Sequence, residues 1–301
     1  MKRVSVVFIS DENYIVHLSV ALISLLVNNK KLKMNIYIIG NGIKEKNFYR
    51  LKKMCDSYDV NLKQFIVNDK IFDKFITTYH FTKAIYYRLL IPHFIEDNKV
   101  LYLDSDVIVN DSIEKLFEIN LTNNYIAGVI NPGFNRQKEF MMNLNAKYFN
   151  SGVMLINNYL WKKDDIPKQC IELIEKYSDI LMFPDQDALN AVINGRWIPL
   201  PLKYNVQSVF FEDNCYEKYP ELDYFELQDA IKNPIIIHYT GSSKPWQVCN
   251  KHPYKNLYWK YLKLTYFKRR LPEINYMNII KCIVPDNIYK LIKKSLKTDR
   301  N

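Results

Sequence analysis

The chain has 301 residues, of which 48% are hydrophobic, 14% aromatic and 25% charged, with 42 Lys and Arg against 32 Asp and Glu for a formal net charge of +10. Such a composition excludes a disordered chain and a small disulfide scaffold, and the length suits two average domains or one large α/β domain with an appendage. Residues 251–301 contain 13 basic and 3 acidic side chains and so carry the whole excess, while the first 250 residues are balanced with 29 of each sign. The question of a polyanionic partner therefore falls on the C-terminal appendage alone.

Along the chain, Val4 to Ile9 is a strand-like apolar run; Met1-Lys2-Arg3 before it leads into no signal-type h-region or cleavage site, so the segment reads as a first strand. Tyr14 to Val27 is long and apolar enough for a buried helix, Ile36 to Ile39 reads as a second strand, and Phe48, Leu51, Met54 and Cys55 recur at helical spacing. Leu62 to Val67 is expected as a third strand, Thr82 to Ile91 as a helix stopped by Pro92, and Val100 to Leu103 as a fourth strand. Alternation of this kind predicts a mainly parallel, doubly wound α/β sheet with its ligand crevice at the carboxyl ends of the strands.

Beyond Asp106 the pattern loosens: Tyr125 to Val129 and Val153 to Ile156 look like strands, and Asn131 to Tyr148 between them is long for a plain connection. Asp164 to Tyr177 and Asp185 to Ile193 read as helices and Ile235 to Ile237 as a last strand. No apolar run reaches the roughly 18 residues of a spanning helix. Cysteines at 55, 170, 215, 249 and 282 are odd in number and irregularly spaced, which fits a reducing, cytoplasmic setting and neither a disulfide framework nor a thiolate zinc site.

Asp104-Ser105-Asp106 directly follows the fourth strand. Read alone, an Asp-x-Asp is either a solvated turn or a pair of carboxylates about 6 to 7 Å apart at Cα on one face of extended chain, able to share one divalent cation. His238 closes the last strand and is followed by Tyr239-Thr240-Gly241-Ser242-Ser243-Lys244-Pro245-Trp246, where Gly241 permits close backbone approach and Lys244 offers a point charge to a diphosphate. Two carboxylates and an imidazole suit Mn²⁺, with Mg²⁺ next.

Six motifs occur in an order that resembles glycosyltransferase family 8: Ile9-Ser10-Asp11-Glu12-Asn13-Tyr14, Tyr87-Arg88-Leu89, Tyr102 to Asp106, Tyr148-Phe149-Asn150-Ser151-Gly152-Val153, Pro184-Asp185-Gln186-Asp187-Ala188-Leu189-Asn190, and His238 to Trp246. The likeness is to bacterial lipopolysaccharide and lipooligosaccharide α-galactosyl- and α-glucosyltransferases and spans residues 1 to about 250. It implies a GT-A fold (a Rossmann-like, mainly parallel sheet flanked by helices), a UDP-hexose donor, manganese and retention of configuration. It also implies Asp104, Asp106 and His238 as metal ligands, and Asp11, Asn13 and Tyr14 at the uracil and ribose. Lys244 and Gly241 are implied at the diphosphate, with Ser105 between the two metal carboxylates. Arg88, Asp104, Asn150, Asp185 and Gln186 match positions around the donor sugar. Gln186 is a poor nucleophile, so a double displacement would call on Asp185 or Asp187, and same-face attack is the favoured route. Asp185 can equally cap the helix after Pro184, and Asp11, Asn13 and Tyr14 can equally be a helix N-cap and a core-edge ring.

The basic stretch interleaves Tyr258, Trp259, Tyr261, Leu262, Ile288, Tyr289, Leu291 and Ile292 with Lys and Arg. That pattern predicts a catalytic domain at 1–250 and an amphipathic helical tail at 251–301, which would hold the enzyme to the anionic cytoplasmic face of a membrane near a glycan or glycolipid acceptor. A nucleic-acid-binding protein leaves the six motifs in the neutral part unexplained, and a sugar-nucleotide nucleotidyltransferase lacks its Gly-rich phosphate loop, since Ser10 to Tyr14 contains no Gly. Asp104→Ala or Asp106→Ala is expected to abolish transfer in a folded protein; normal turnover in either would exclude the metal role.

Overall fold

The computed structural model describes residues 3–73, 75, 83–274, 279, 280 and 284. The alternation expected of the first half is present: β1 (Val4–Ile9), α1 (Ile15–Asn28), β2 (Met34–Gly40), α2 (Glu45–Cys55) and β3 (Val60–Ile66) follow one another. A 3-10 helix at Lys83–Leu90 runs into α3 (Ile91–Phe94), then β4 (Lys99–Leu103), β5 (Val107–Val109), β6 (Ile126–Ile130) and β7 (Phe149–Asn157). The remainder comprises α4 (Asn158–Lys163), α5 (Ile166–Lys176), α6 (Pro184–Ile193), β8 (Trp197–Pro199), β9 (Val206–Gln207), α7 (Cys215–Lys218), α8 (Tyr224–Lys232), β10 (Ile236–His238) and α9 (Lys255–Leu262).

Seven strands form one sheet in the order β3-β2-β1-β4-β7-β6-β8. Every pair is parallel except those of β7, which lies antiparallel between β4 and β6. The winding reverses between β1 and β4, so the crevice of an open α/β sheet falls where Ser10–Tyr14 and Asp104–Asp106 leave the strands. A second, three-stranded sheet, β5-β10-β9, brings His238 alongside Val107 and Gln207. Helix α1 is apolar around most of its circumference and is accordingly buried along its length.

Some elements depart from the sequence expectation for local reasons. Pro92 does not stop a helix: it sits in the first turn of α3, where its missing N–H is one of the donors a helix leaves unpaired anyway. The helix expected from Asp164 to Tyr177 is present as α5 but begins two residues later, because Asp165 turns left-handed with φ 47° and Pro167 sits in the first turn. Strand β7 begins at Phe149, four residues before its apolar run, and so includes Asn150, Ser151 and Gly152. Residues 131–148 contain no helix or strand.

The first part of the basic stretch is built into this body. Tyr258, Tyr261 and Leu262 of α9 belong to the main core, the Tyr261 hydroxyl accepts from Asn28 at 2.7 Å, and Tyr258 bonds His17 of α1 at 2.9 Å. Helix α9 thus packs on α1, and the last expected tail segment, residues 285–301, lies outside the described residues. No helix among the described residues is long and apolar enough to cross a membrane.

Candidate active site

The carboxylates of Asp104 and Asp106 and the imidazole of His238 converge where β4 ends and β10 ends, with one ligand atom from each lying within 4.8 Å of the others. His238 Nε2 is 3.6 Å from Asp104 Oδ2 and 3.3 Å from Asp106 Oδ1. The imidazole is oriented from behind. Asn205, fully buried, donates through Nδ2 to Asn150 Oδ1 at 2.9 Å, so its Oδ1 faces His238 Nδ1 at 3.0 Å. Nδ1 is therefore the donor, and Nε2 faces the two carboxylates, the arrangement of a metal-binding histidine with its second nitrogen tied. Asn150 also accepts from the Gly152 amide at 3.0 Å.

The backbone is shaped to leave this space. A Cβ at Gly152 would stand 2.1 Å from His238 Cε1 and 2.6 Å from Asp104 Oδ2, so only glycine lets β7 pass behind the cluster. The Asp104 amide donates to Gly152 O at 2.8 Å, and Ser105 Oγ donates to Ile9 O at 2.9 Å, which fastens the β4 turn to β7 on one side and β1 on the other. An oxygen-rich set with one nitrogen, a steric cradle and a fixed tautomer all fit a hard or borderline divalent cation.

Cations surround the carboxylates. Arg88, on the 3-10 helix before α3, donates to Asp104 Oδ1 at 3.0 Å and to Ser151 O and Oγ at 3.0 and 2.7 Å, and its Nε lies 3.1 Å from Asp185 Oδ2. Burial works against its charge, but Asp104 and Asp185 outweigh that and hold the guanidinium more firmly protonated than usual. Tyr102 donates to Asp104 Oδ1. Lys244 Nζ donates to Asp106 Oδ2 and to Tyr239 O. Burial would raise the Asp106 pKa, yet Lys244 and His238 together drive it far below the usual carboxylate range. Asp185 moves the opposite way: burial raises it, with Arg88 opposing and Asp104 adding.

Most residues singled out in the sequence are gathered here. Gln186 Oε1 accepts from the Ser151 amide at 2.9 Å, which places Asp185 and Gln186, at the start of α6, beside β7. Gly241 adopts φ 80°, a left-handed conformation that glycine takes at little cost, and its Cβ position is open. Asp11 is engaged in its own turn: Oδ1 accepts from the amides of Asn13 and Tyr14 at 2.9 and 3.0 Å, at the entry to α1. Tyr14 is 41% exposed, and its ring meets His17 and Trp246 edge-on at 5.0 and 6.1 Å.

Asp187, one of the two carboxylates a double displacement would call on, is held on every side. It is fully buried, and its oxygens accept from Arg136 at 3.1 Å, from the Tyr148 hydroxyl, and from the amides of Met182 and Phe183 at 2.8 and 3.0 Å. Its function is to anchor α6 to the segment before β7. Asn205, Tyr102, Ser151 and Arg136 were not among the expected site residues. Tyr102 and Ser151 lie inside recognised motifs, whereas Asn205 carries no local signal and reaches His238 only through the pairing of β9 with β10.

The sequence profile of glycosyl transferase family 8 matches residues 5–249, and the chain belongs to that family. Among its relatives, general stress protein A of Bacillus subtilis is 33% identical over 269 residues, which is 86% of this chain and 93% of that protein. A lipopolysaccharide 1,2-glucosyltransferase of Escherichia coli is 32% identical over 248 residues, 78% of this chain and 71% of its own. The solved structure of galactosyltransferase LgtC in complex with donor and acceptor sugar analogs superposes with a TM-score of 0.77 at 26% identity, covering 89% of this chain and 98% of that one. With the sheet order above, these likenesses give the chain the GT-A fold.

Gly152→Ala tests the cradle. The added methyl is expected to displace His238 or Asp104 and to weaken Mn²⁺ binding about 10- to 100-fold in a protein that stays folded, read by electron paramagnetic resonance titration. Unchanged affinity would show that the ion sits elsewhere.

Proposed function

We propose that this glycosyltransferase moves galactose or glucose from a UDP donor to a hydroxyl of a cell-surface glycan, such as a lipopolysaccharide core, and forms an α-linkage with retention at the sugar. The observation that carries this reading is the Asp104, Asp106 and His238 cluster with Lys244 against it, set in the crevice between β1 and β4. The names of the Escherichia coli and LgtC relatives support the choice of hexose class and acceptor class.

A divalent ion bound at the cluster, Mn²⁺ by its donor set, supplies Lewis-acid stabilisation of the diphosphate. Within the chain, Lys244 contributes a cation where negative charge grows on the leaving group. Tyr14 offers a ring to the uracil, with Asp11 and Asn13 beside the ribose. Arg88, Asn150, Asp185 and Gln186 line the donor sugar. The bond from the anomeric carbon to the UDP oxygen breaks, the acceptor hydroxyl oxygen bonds to that carbon from the same face, and its proton passes to the departing phosphate oxygen. Same-face attack is supported by the burial of Asp187 and the engagement of Asp185 with Arg88, which leave neither carboxylate free as a nucleophile.

Segments 131–148 and 203–217 are the acceptor walls in this reading, which is supported by their association: the Gly133 amide donates to Glu221 at 2.7 Å, and Tyr219 packs on Gly133, so the first segment rests on the chain that follows the second. Attachment to an anionic membrane surface is supported by exposed Leu264, Tyr266, Leu271 and Ile274 among Lys263, Lys268, Arg269 and Arg270.

Two measurements test the reading. In a UDP-release screen over UDP-sugars, UDP-galactose or UDP-glucose is expected to be hydrolysed with Mn²⁺ and not after chelation, and the absence of turnover with every donor would reject it. In flotation with phosphatidylglycerol vesicles at low salt, the full chain is expected to rise with the lipid and a form ending at Arg270 to rise less; equal flotation would reject a membrane role for the residues beyond Arg270.

A further inference from the structure

The loop that carries Lys244 is gripped by chain from beyond the family match. The Glu273 amide donates to Trp246 O at 2.7 Å and the Val248 amide donates to Glu273 O at 3.1 Å, so residue 273 pairs in parallel with Gln247 from both sides. Gln247 in turn accepts through Oε1 from the Lys244 amide at 3.1 Å and donates its own amide to Lys244 O at 2.9 Å. From the other flank, Trp259 of α9 donates to Pro245 O at 3.1 Å. Trp246 is stacked on His17 at 3.6 Å and meets Tyr14 edge-on, which extends the same contact set to the uracil side of the crevice.

We infer that the segment around Glu273 is a backbone strap that positions Lys244 and Trp246 for the donor diphosphate, and that Glu273 is a positioning residue; this rests on the UDP-donor reading above. The backbone, rather than the carboxylate, does the holding. His17 Nε2 is 3.8 Å from Glu273 Oε1, but burial lowers the His17 pKa to about 3, so the imidazole is neutral and no ion pair forms at neutral pH. Arg270, at 3.4 Å from the same oxygen, is an exposed partner of small worth. Two main-chain hydrogen bonds, by contrast, fix a loop whose hinge at Gly241 adopts φ 80° with open space around it, and which would otherwise have freedom to move Lys244 off its mark.

A backbone device has a distinctive mutational pattern. Glu273→Ala keeps both main-chain hydrogen bonds and is expected to hydrolyse the UDP-hexose within about twofold of the unaltered enzyme. Glu273→Pro removes the N–H that Trp246 accepts from, and is expected to lose about tenfold in kcat/KM with its melting temperature essentially unchanged. A chain ending at Arg270 should behave like Glu273→Pro. Hydrogen exchange supplies the second readout: amides of 244–248 should exchange faster in Glu273→Pro and in the shortened chain than in Glu273→Ala, while those of β1 and β4 do not change. An active enzyme in which Glu273→Pro matches Glu273→Ala overturns the strap and leaves the proposed function standing. If no UDP-hexose is turned over by the unaltered enzyme, the proposed function fails instead. Exchange at 244–248 then decides the strap by itself, and protection that is equal in the two variants overturns it.

Discussion

Asp104, Asp106 and Asp185 are packed into one largely enclosed corner, and such a set of like charges is tolerated because Arg88 stands between Asp104 and Asp185 while Lys244 pairs with Asp106. The Arg88 guanidinium spans Asp104 and Asp185 and donates to the main chain of β7 at Ser151. Removing one partner from a buried ionic set of this kind typically costs about 3–5 kcal/mol, since the remaining charges stay desolvated without compensation. Arg88 also ties three elements together, the 3-10 helix on which it stands, the turn after β4, and β7 with α6 behind it. The planar fork is what allows one side chain to serve several acceptors, and a lysine in its place could not address them in the same geometry.

The antiparallel insertion of β7 is the second constraint. A strand in this position must cross behind the metal cluster at Gly152, and its polar first residues then become the support for the site. Asn150 steers Asn205 and hence His238, Ser151 accepts from Arg88 and donates its amide to Gln186, and Gly152 leaves the space for imidazole and carboxylate. These residues are buried despite their polarity because each finds a partner inside, which is the condition for burying such groups at all.

The same circumstance explains what the amino-acid pattern revealed and what it hid. Parallel strands β1, β2 and β4 announced themselves because strands covered on both faces read as apolar runs between helical segments, whereas edge strand β3, with Asn61, Lys63 and Gln64, gives only a broken apolar pattern. Strand β7 was legible only from Val153 onward, since its first three polar positions serve the site and break the apolar pattern. Pro92 misled because proline both ends helices and starts them. The carboxylates, the histidine and Lys244 were visible through short motifs at strand ends, while Asn205 was not, as nothing near it in the chain signals a pairing of β9 with β10. The packing of α9 on α1 was hidden for a related reason: a helix with lysines between aromatic residues has the composition of an interfacial segment whether it faces lipid or a protein core. Asp187 is a carboxylate inside a motif whose partners, Arg136 and Tyr148, nothing in the local pattern announces.

The contact between Lys244 and Asp106 joins residues 138 positions apart in the chain. Closing a flexible loop of that length costs about 4 kcal/mol of chain entropy before the contact returns anything. Folding order follows from this. The pairing of β1 with β2 and of β2 with β3 is far more local and can be established while the chain beyond β4 is still searching, whereas the cluster exists only after β10 has joined β5. Until then Asp104 and Asp106 stay hydrated at the end of an incomplete sheet, without the lysine that later pairs with Asp106. The ionic site is therefore a product of the completed fold and cannot serve as its nucleus.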